Sequence, residues 1–249
     1  MSQPNPDREL PILSLLPNLV TIGAICAGLT AIRFAYQGSF DISVMLIFLA
    51  CILDGIDGRL ARKLNISSEL GAELDSLADF LNFGVAPAMV IYAWAFQDYK
   101  SAGWLAVLFY AICCVLRLAR FNVASRAEVE TDAPEGFFIG VPAPAGALLV
   151  LLPMFLTFIE FDMLQSHPLI LALYMAAIGV LMISRIPTYS FKNLTVYRSN
   201  TKFVLIGFAL LIGLLISYPW ATLLAFDIGY FCVLIWSVYK VRKDTKSGG

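Results

Sequence analysis

Four aspartates within 26 positions carry the chemistry of this sequence. They lie in the stretches LDGIDGRLAR and GAELDSLADFLNFG, joined by the polar link KLNISSEL. On a helix Asp54, Asp57, Gly58, Ala61 and Arg62 fall at i, i+3, i+4, i+7 and i+8, which forms one continuous stripe. Gly71, Asp75, Asp79 and Asn82 fall at i, i+4, i+8 and i+11 and form a second stripe. The short link predicts antiparallel neighbours whose stripes face each other, bringing four carboxylates into one small volume. Such a group repels itself unless cations lie within it, and the nearby side-chain cations are Arg59, Arg62 and Lys63. Hard divalent ions with oxygen ligands are the economical partners. Four aspartates suit two Mg²⁺ or Mn²⁺ ions, the arrangement that stabilises attacking and leaving oxygens in displacement at phosphorus. Gly58 and Ala61 leave room for a bulky group against the first helix, and Gly71 lets the helices approach closely. The bland reading is that these acids sit at solvated helix ends. It accounts for any one of them more easily than for four on matching stripes.

The elements that must position these residues are membrane helices. The 249 residues are 59% hydrophobic and 14% charged, with mean hydropathy +0.80, far from the balance of a soluble domain. Apolar runs long enough to cross a bilayer are expected at about 17–36, 42–62, 71–96, 103–124, 138–159, 168–187, 201–218 and 220–239. The fold class expected is therefore an all-α, polytopic integral membrane helical bundle of about eight transmembrane helices, read as one domain over 1–249. Its motif core is 54–79, its catalytic helices span about 17–187, and two extra C-terminal spans cover about 201–239. The polar start Met1 to Glu9 lacks the features of a secretory signal, so the first run is expected to be a retained span.

Charge placement supports that count. With both termini in the cytoplasm, only Arg33 and Lys100 of the 17 basic residues fall on the outer side, as the positive-inside rule requires. Trp94, Trp104 and Trp220 near outer ends and Trp236 near an inner end suit an aromatic belt. No basic face for nucleic acid is present. Cys26, Cys51, Cys113, Cys114 and Cys232 lie inside apolar runs without disulfide or zinc spacing, and they read as small hydrophobes. Glu128, Glu130, Asp132 and Glu135 read as a solvated acidic loop, His167 as a surface residue, and Asp227 as a lone intramembrane acid without an evident partner.

The pattern Asp54-x-x-Asp57-Gly58-x-x-Ala61-Arg62, eight residues, Gly71-x-x-x-Asp75-x-x-x-Asp79 resembles the CDP-alcohol phosphotransferase motif at every defined position. The resemblance implies transfer of a phosphatidyl group from a CDP-linked lipid to an alcohol with release of CMP, in the bilayer of the cell inner membrane, with the active site facing the cytoplasm. It implies Asp54, Asp57, Asp75 and Asp79 as ligands of two divalent ions, with Asp79 also the general base. Asp54, Gly58, Ala61, Arg62 and Gly71 would hold CDP-diacylglycerol, Gly58 and Ala61 lining the nucleotide pocket and Arg62 meeting the phosphates. It also implies a homodimer.

The acceptor must be set outside that motif. Asp79 to Ala88, Arg117 to Asn122 and Phe138 to Gly146 resemble the family branch that accepts L-serine. A zwitterionic acceptor in a membrane needs a cation for its carboxylate, which Arg117 and Arg120 could supply, with Asn82 and Asn122 adding neutral hydrogen-bonding groups. The lesser alternative is that both arginines are positive-inside anchors. Acceptors such as glycerol 3-phosphate or an inositol phosphate stay open, since Arg117, Arg120 and Arg126 could serve a phosphate. A cation-coupled transporter would also bury acids, but near the midplane and in repeated halves; here the acids lie toward one face and no second half matches. The single His167 excludes a phospholipase-D-like synthase, which needs two histidine motifs.

Overall fold

In a computed structural model of the chain, the residues described are 15–64, 68–126, 137–161, 165, 167–189 and 201–247. The acidic residues Glu128, Glu130, Asp132 and Glu135, the basic residues Arg8, Lys192 and Arg198, and part of the polar link, 65–67, lie outside them. The elements are helices α1 (Leu16–Tyr36) and α2 (Phe40–Leu64), then α3 (Glu69–Asp79) running through a π-helical turn (Phe80–Val85) into α4 (Ala86–Ala95). There follow α5 (Lys100–Arg126), strand β1 (Phe137–Ile139), α6 (Ala143–Phe158), α7 (Pro168–Ile183), strand β2 (Pro187–Tyr189), α8 (Thr201–Ser217) and α9 (Pro219–Ser247). Counting α3 to α4 as one segment, the described residues form eight long helical segments, the helical membrane bundle expected.

Four of them are both long and apolar enough to cross a membrane: Leu16–Tyr36, Glu69–Ala95, Lys100–Ala124 and Pro219–Lys240. Shorter apolar helices cover Ala143–Phe158, Pro168–Ile183 and Lys202–Ser217. Helix α2 has 25 residues but carries Asp41, Asp54, Asp57, Arg59, Arg62 and Lys63, so it combines a span's length with a site's polarity.

Lipid offers no hydrophobic drive between helices, so close packing of small side chains must hold them together. Helices α1 and α2 show this: Ala24, Ala27, Gly28, Ala31 and Ala35 are buried on one, Ser43, Val44, Ile47 and Ala50 on the other. Gly38, at φ +80°, makes the tight turn between them. The main core lies where α4, α5, α6 and α7 meet, around Phe83, Phe96, Tyr110, Leu149, Phe155 and Met175.

Two corrections to the expected spans concern helix ends. The run expected to be helical from 138 starts as β1 and turns at Gly140, which sits at φ +77°. Helix α6 begins only at Ala143, with Pro142 as its N-cap. Likewise the run expected to reach 187 leaves the helix at Ser184, and β2 pairs antiparallel with β1, Phe138 opposite Thr188. The Gly140 N–H donates to the Ile186 carbonyl at 2.8 Å and the Thr188 hydroxyl to the Gly140 carbonyl at 2.7 Å. The two strands satisfy each other's backbone where no helix could.

Two prolines inside helical segments expose a recurring device. Pro153 lies within α6 and has no N–H for the carbonyl of Leu149, four residues earlier. The Tyr174 hydroxyl, from α7, donates to that carbonyl at 2.5 Å. Pro87 likewise withholds the usual donor from Phe83, and the buried Tyr110 of α5 donates its hydroxyl to the Phe83 carbonyl at 2.9 Å. We predict that Tyr110→Phe and Tyr174→Phe each cost about 1 kcal/mol. Pro87→Ala and Pro153→Ala, which return a backbone donor, should shrink the respective penalties. Double-mutant cycles of thermal unfolding in detergent check this; additive effects would refute the pairing.

Candidate active site

The site begins at the start of α3. Ser68 caps that helix, its hydroxyl accepting from the Gly71 N–H at 3.0 Å, which offsets an orphan donor of the first turn. Gly71 is where α3 meets α1: a Cβ there would lie 2.9 Å from Asn18 Oδ1 and 3.0 Å from Ser68 Oγ. Helix α3 packs against α1, and its acids meet those of α2 through their side chains. The two acid-bearing stripes thus converge, as the short link suggested, and α1 joins them. They stand on either side of a cleft floored by α1.

This cleft, about 570 Å³ including its open mouth, is lined by Pro17, Asn18 and Thr21 of α1 and by Asp57, Gly58 and Ala61 of α2. Ser68, Gly71, Ala72 and Asp75 close its third side. Among the described residues nothing lies within 4 Å of where a Cβ on Gly58 would stand, so its missing side chain is open cleft volume. Asp54, Asp57 and Asp75 each offer one oxygen, and the three oxygens lie within 4.8 Å of one another. Carboxylates gathered so closely are a ligand set for a hard divalent cation. Arg62 is within electrostatic reach of Asp75 but is itself exposed.

Asp57 is the best-held acid, with 3% exposure. Its Oδ2 accepts from the Thr21 hydroxyl at 2.6 Å and its Oδ1 from the Gly58 N–H at 2.6 Å. Thr21 also approaches the Pro17 carbonyl at 3.1 Å. Asn18 and Thr21 are site residues that sequence reasoning missed. Their signal was available: two polar side chains three apart in the first apolar run, hence on one face.

Asp79 closes the last turn of α3 beside Asp54, the two carboxyl groups in mutual contact. Its Oδ1 is buried without a hydrogen-bond partner among the described residues. Two acids side by side, one with an orphaned oxygen, fit a site completed by a cation or by a proton from substrate. The π-helical turn starts at the next residue, and such turns are frequent at functional sites. Here it is pinned by Tyr110 through the Phe83 carbonyl.

Of the residues expected to meet an acceptor, Arg117 is the one brought to Asp79, within electrostatic reach of it. Its Nε donates to the Val141 carbonyl at 2.5 Å. Arg120 turns to the end of α7, donating from Nη1 to the Ile183 carbonyl at 3.0 Å and from Nη2 to the Ser184 carbonyl at 3.4 Å. Asn122 ties α5 to α3, its Nδ2 donating to Ser76 Oγ at 2.6 Å. Asn82 is fully buried, with neither side-chain polar atom hydrogen-bonded among the described residues. It abuts Gly28 of α1, where a Cβ would lie 2.1 Å from its Oδ1. The stretches Arg117 to Asn122 and Phe138 to Gly146, distant in sequence, meet each other through the Arg117 bond to Val141 and the approach of Arg120 to Gly140.

Comparison with known proteins agrees with this geometry. Residues 14–184 match the family model for CDP-alcohol phosphatidyltransferase, and residues 202–234 match that for CDP-alcohol phosphatidyltransferase 2. A CDP-diacylglycerol–serine O-phosphatidyltransferase of Mycobacterium leprae is 36% identical over 230 residues, 92% of this chain and 76% of that protein. Proteins of the same description from Helicobacter pylori (strain ATCC 700392 / 26695) and Bacillus subtilis (strain 168) are 37% and 38% identical over 182 residues. These alignments cover 73% of this chain and 74% and 93% of the respective relatives. With the aspartate motif converging on one cleft and the family model spanning more than half of its length, the chain belongs to the CDP-alcohol phosphatidyltransferase family.

Proposed function

We propose that the protein transfers a phosphatidyl group from CDP-diacylglycerol to L-serine, giving phosphatidylserine and CMP. The observation that carries this reading is the acid cluster at an open, Gly58-lined cleft, in a chain whose relatives bear that activity in their names. Two divalent ions, Mg²⁺ or Mn²⁺, held by Asp54, Asp57, Asp75 and Asp79, would neutralise the pyrophosphate and the departing CMP. The bare Gly58 backbone and Ala61 give the nucleotide room, Gly71 lets α3 close against α1, and Arg62 meets the phosphates at the rim. The acceptor hydroxyl lies at Asp79, whose orphaned oxygen takes its proton. A bond forms between the serine oxygen and phosphorus, the bond from phosphorus to CMP breaks, and the proton passes from Asp79 to water. Arg117 faces the serine carboxylate, while Asn122 and Arg120 hold α5 against α3 and α7.

We assign the site to the cytoplasmic side of the inner membrane, where CMP, serine and Mg²⁺ are at hand and to which all but Arg33 and Lys100 of the 17 basic residues sort. The working unit is a homodimer on the strength of the family resemblance, and cross-linking in native membranes tests it. The deciding experiment offers purified protein CDP-diacylglycerol with L-serine, glycerol 3-phosphate or an inositol phosphate, each with and without EDTA. CMP and phosphatidylserine should form with serine alone and stop with EDTA. Turnover of a phosphorylated acceptor with none of serine would overturn the acceptor, and EDTA-insensitive turnover would overturn the metal centre.

A further inference from the structure

Helix α9 lies outside the match at residues 14–184, yet it carries polar residues into the bundle on one face. Asp227, Tyr230 and Ser237 stand at i, i+3 and i+10, and each has a buried side-chain oxygen without a hydrogen-bond partner among the described residues. An unpaired hydroxyl in an apolar interior is costly, so a position that keeps one invites the question of what it meets.

For Tyr230 the neighbour is Arg117, within electrostatic reach. The packing explains why. Helix α9 lies against β2 and α6. Strand β2 is tied to Gly140 through Thr188, and the next residue, Val141, accepts from Arg117 Nε. The same guanidinium stands near Asp79. Its terminal nitrogens make no hydrogen bond among the described residues. A buried O–H of α9 and a carboxylate of α3 with an orphaned oxygen therefore lie within electrostatic reach of one guanidinium of α5.

We infer that Tyr230 and Arg117 together receive the carboxylate of the acceptor, which turns its hydroxyl toward Asp79. The Tyr230 O–H donates to one carboxylate oxygen and an Arg117 N–H to the other. One cation and one neutral donor suit a monoanion. A phosphate dianion would call on a second cation, and Arg120, which lies within electrostatic reach of Arg117, is bonded to carbonyls at the end of α7. This inference rests on the reading that L-serine is the acceptor, and it makes α9 part of acceptor recognition.

The test uses Tyr230→Phe in the full-length protein in lipid vesicles. The KM for L-serine should rise about tenfold, the loss of one hydrogen bond to a charged group, while kcat and the KM for CDP-diacylglycerol stay as in the parent. L-serinamide, which lacks the carboxylate, should compete with serine equally weakly in parent and variant. An unchanged serine KM, with or without a lower thermal midpoint, would reduce Tyr230 to a packing residue and overturn the inference. So would an equal loss of affinity for serinamide. Failure of the parent protein to make phosphatidylserine would instead overturn the acceptor reading itself, so the two failures are distinguishable.

Discussion

Asp79→Asn should lower the rate of CMP release by about 10²- to 10⁴-fold and leave the helical content unchanged. The change keeps the shape of the side chain and removes its charge, so neither the proton acceptor nor a charged ligand survives. Asp57→Asn should be comparably damaging by a different route. The single amide oxygen would keep an acceptor for only one of the two donors, the Thr21 hydroxyl and the Gly58 N–H, and the three-carboxylate set of Asp54, Asp57 and Asp75 would lose a charge. Its readout is Mn²⁺ binding, followed by electron paramagnetic resonance of the free ion. Weaker binding in Asp57→Asn is expected, and full activity in either variant would remove that residue from the site.

Gly28→Val is the second large effect, and it acts on the fold beneath the chemistry. Already the first added carbon would fall 2.1 Å from Asn82 Oδ1, inside any tolerable contact. Because Asn82 is fully buried in the π-helical turn, it has nowhere to retreat, and α1 or the turn must shift. Overpacking of this kind costs about 1–3 kcal/mol. The shift would be felt at Asp79, one residue before the turn, so activity should fall further than the folded yield. Comparing specific activity with monodisperse yield in detergent checks this; a variant with parental values of both would refute the tight contact.

How far the sequence foretold these features depended on the range of the interaction. Periodicity placed Asp54, Asp57, Gly58 and Ala61 on one face of α2, and Asp75 and Asp79 on one face of α3, because a helix fixes that relation locally. It also located the long helical segments, since chain length per span follows from bilayer thickness. What it could not set was which helix would floor the cleft. A short link argues for the approach of α2 and α3, which their aspartates make, but α1 enters the site as a third helix and brings Asn18 and Thr21 with it. The ends of α6 and α7 were missed because apolar composition does not separate strand from helix over three residues. Gly140, Pro142 and Pro187 were the available warnings. Arg120 stood within the right segment, yet the carbonyls that receive it belong to residues more than sixty positions away.

The paired tyrosines and prolines have a consequence for how such a sequence can change. A carbonyl left open by Pro87 or Pro153 cannot borrow water within hydrocarbon, so Tyr110 and Tyr174 each answer for a residue on another helix. Across descendants of this chain, each tyrosine should drift freely only after its proline has gone, a historical order that the chemistry of one oxygen atom imposes on two distant codons.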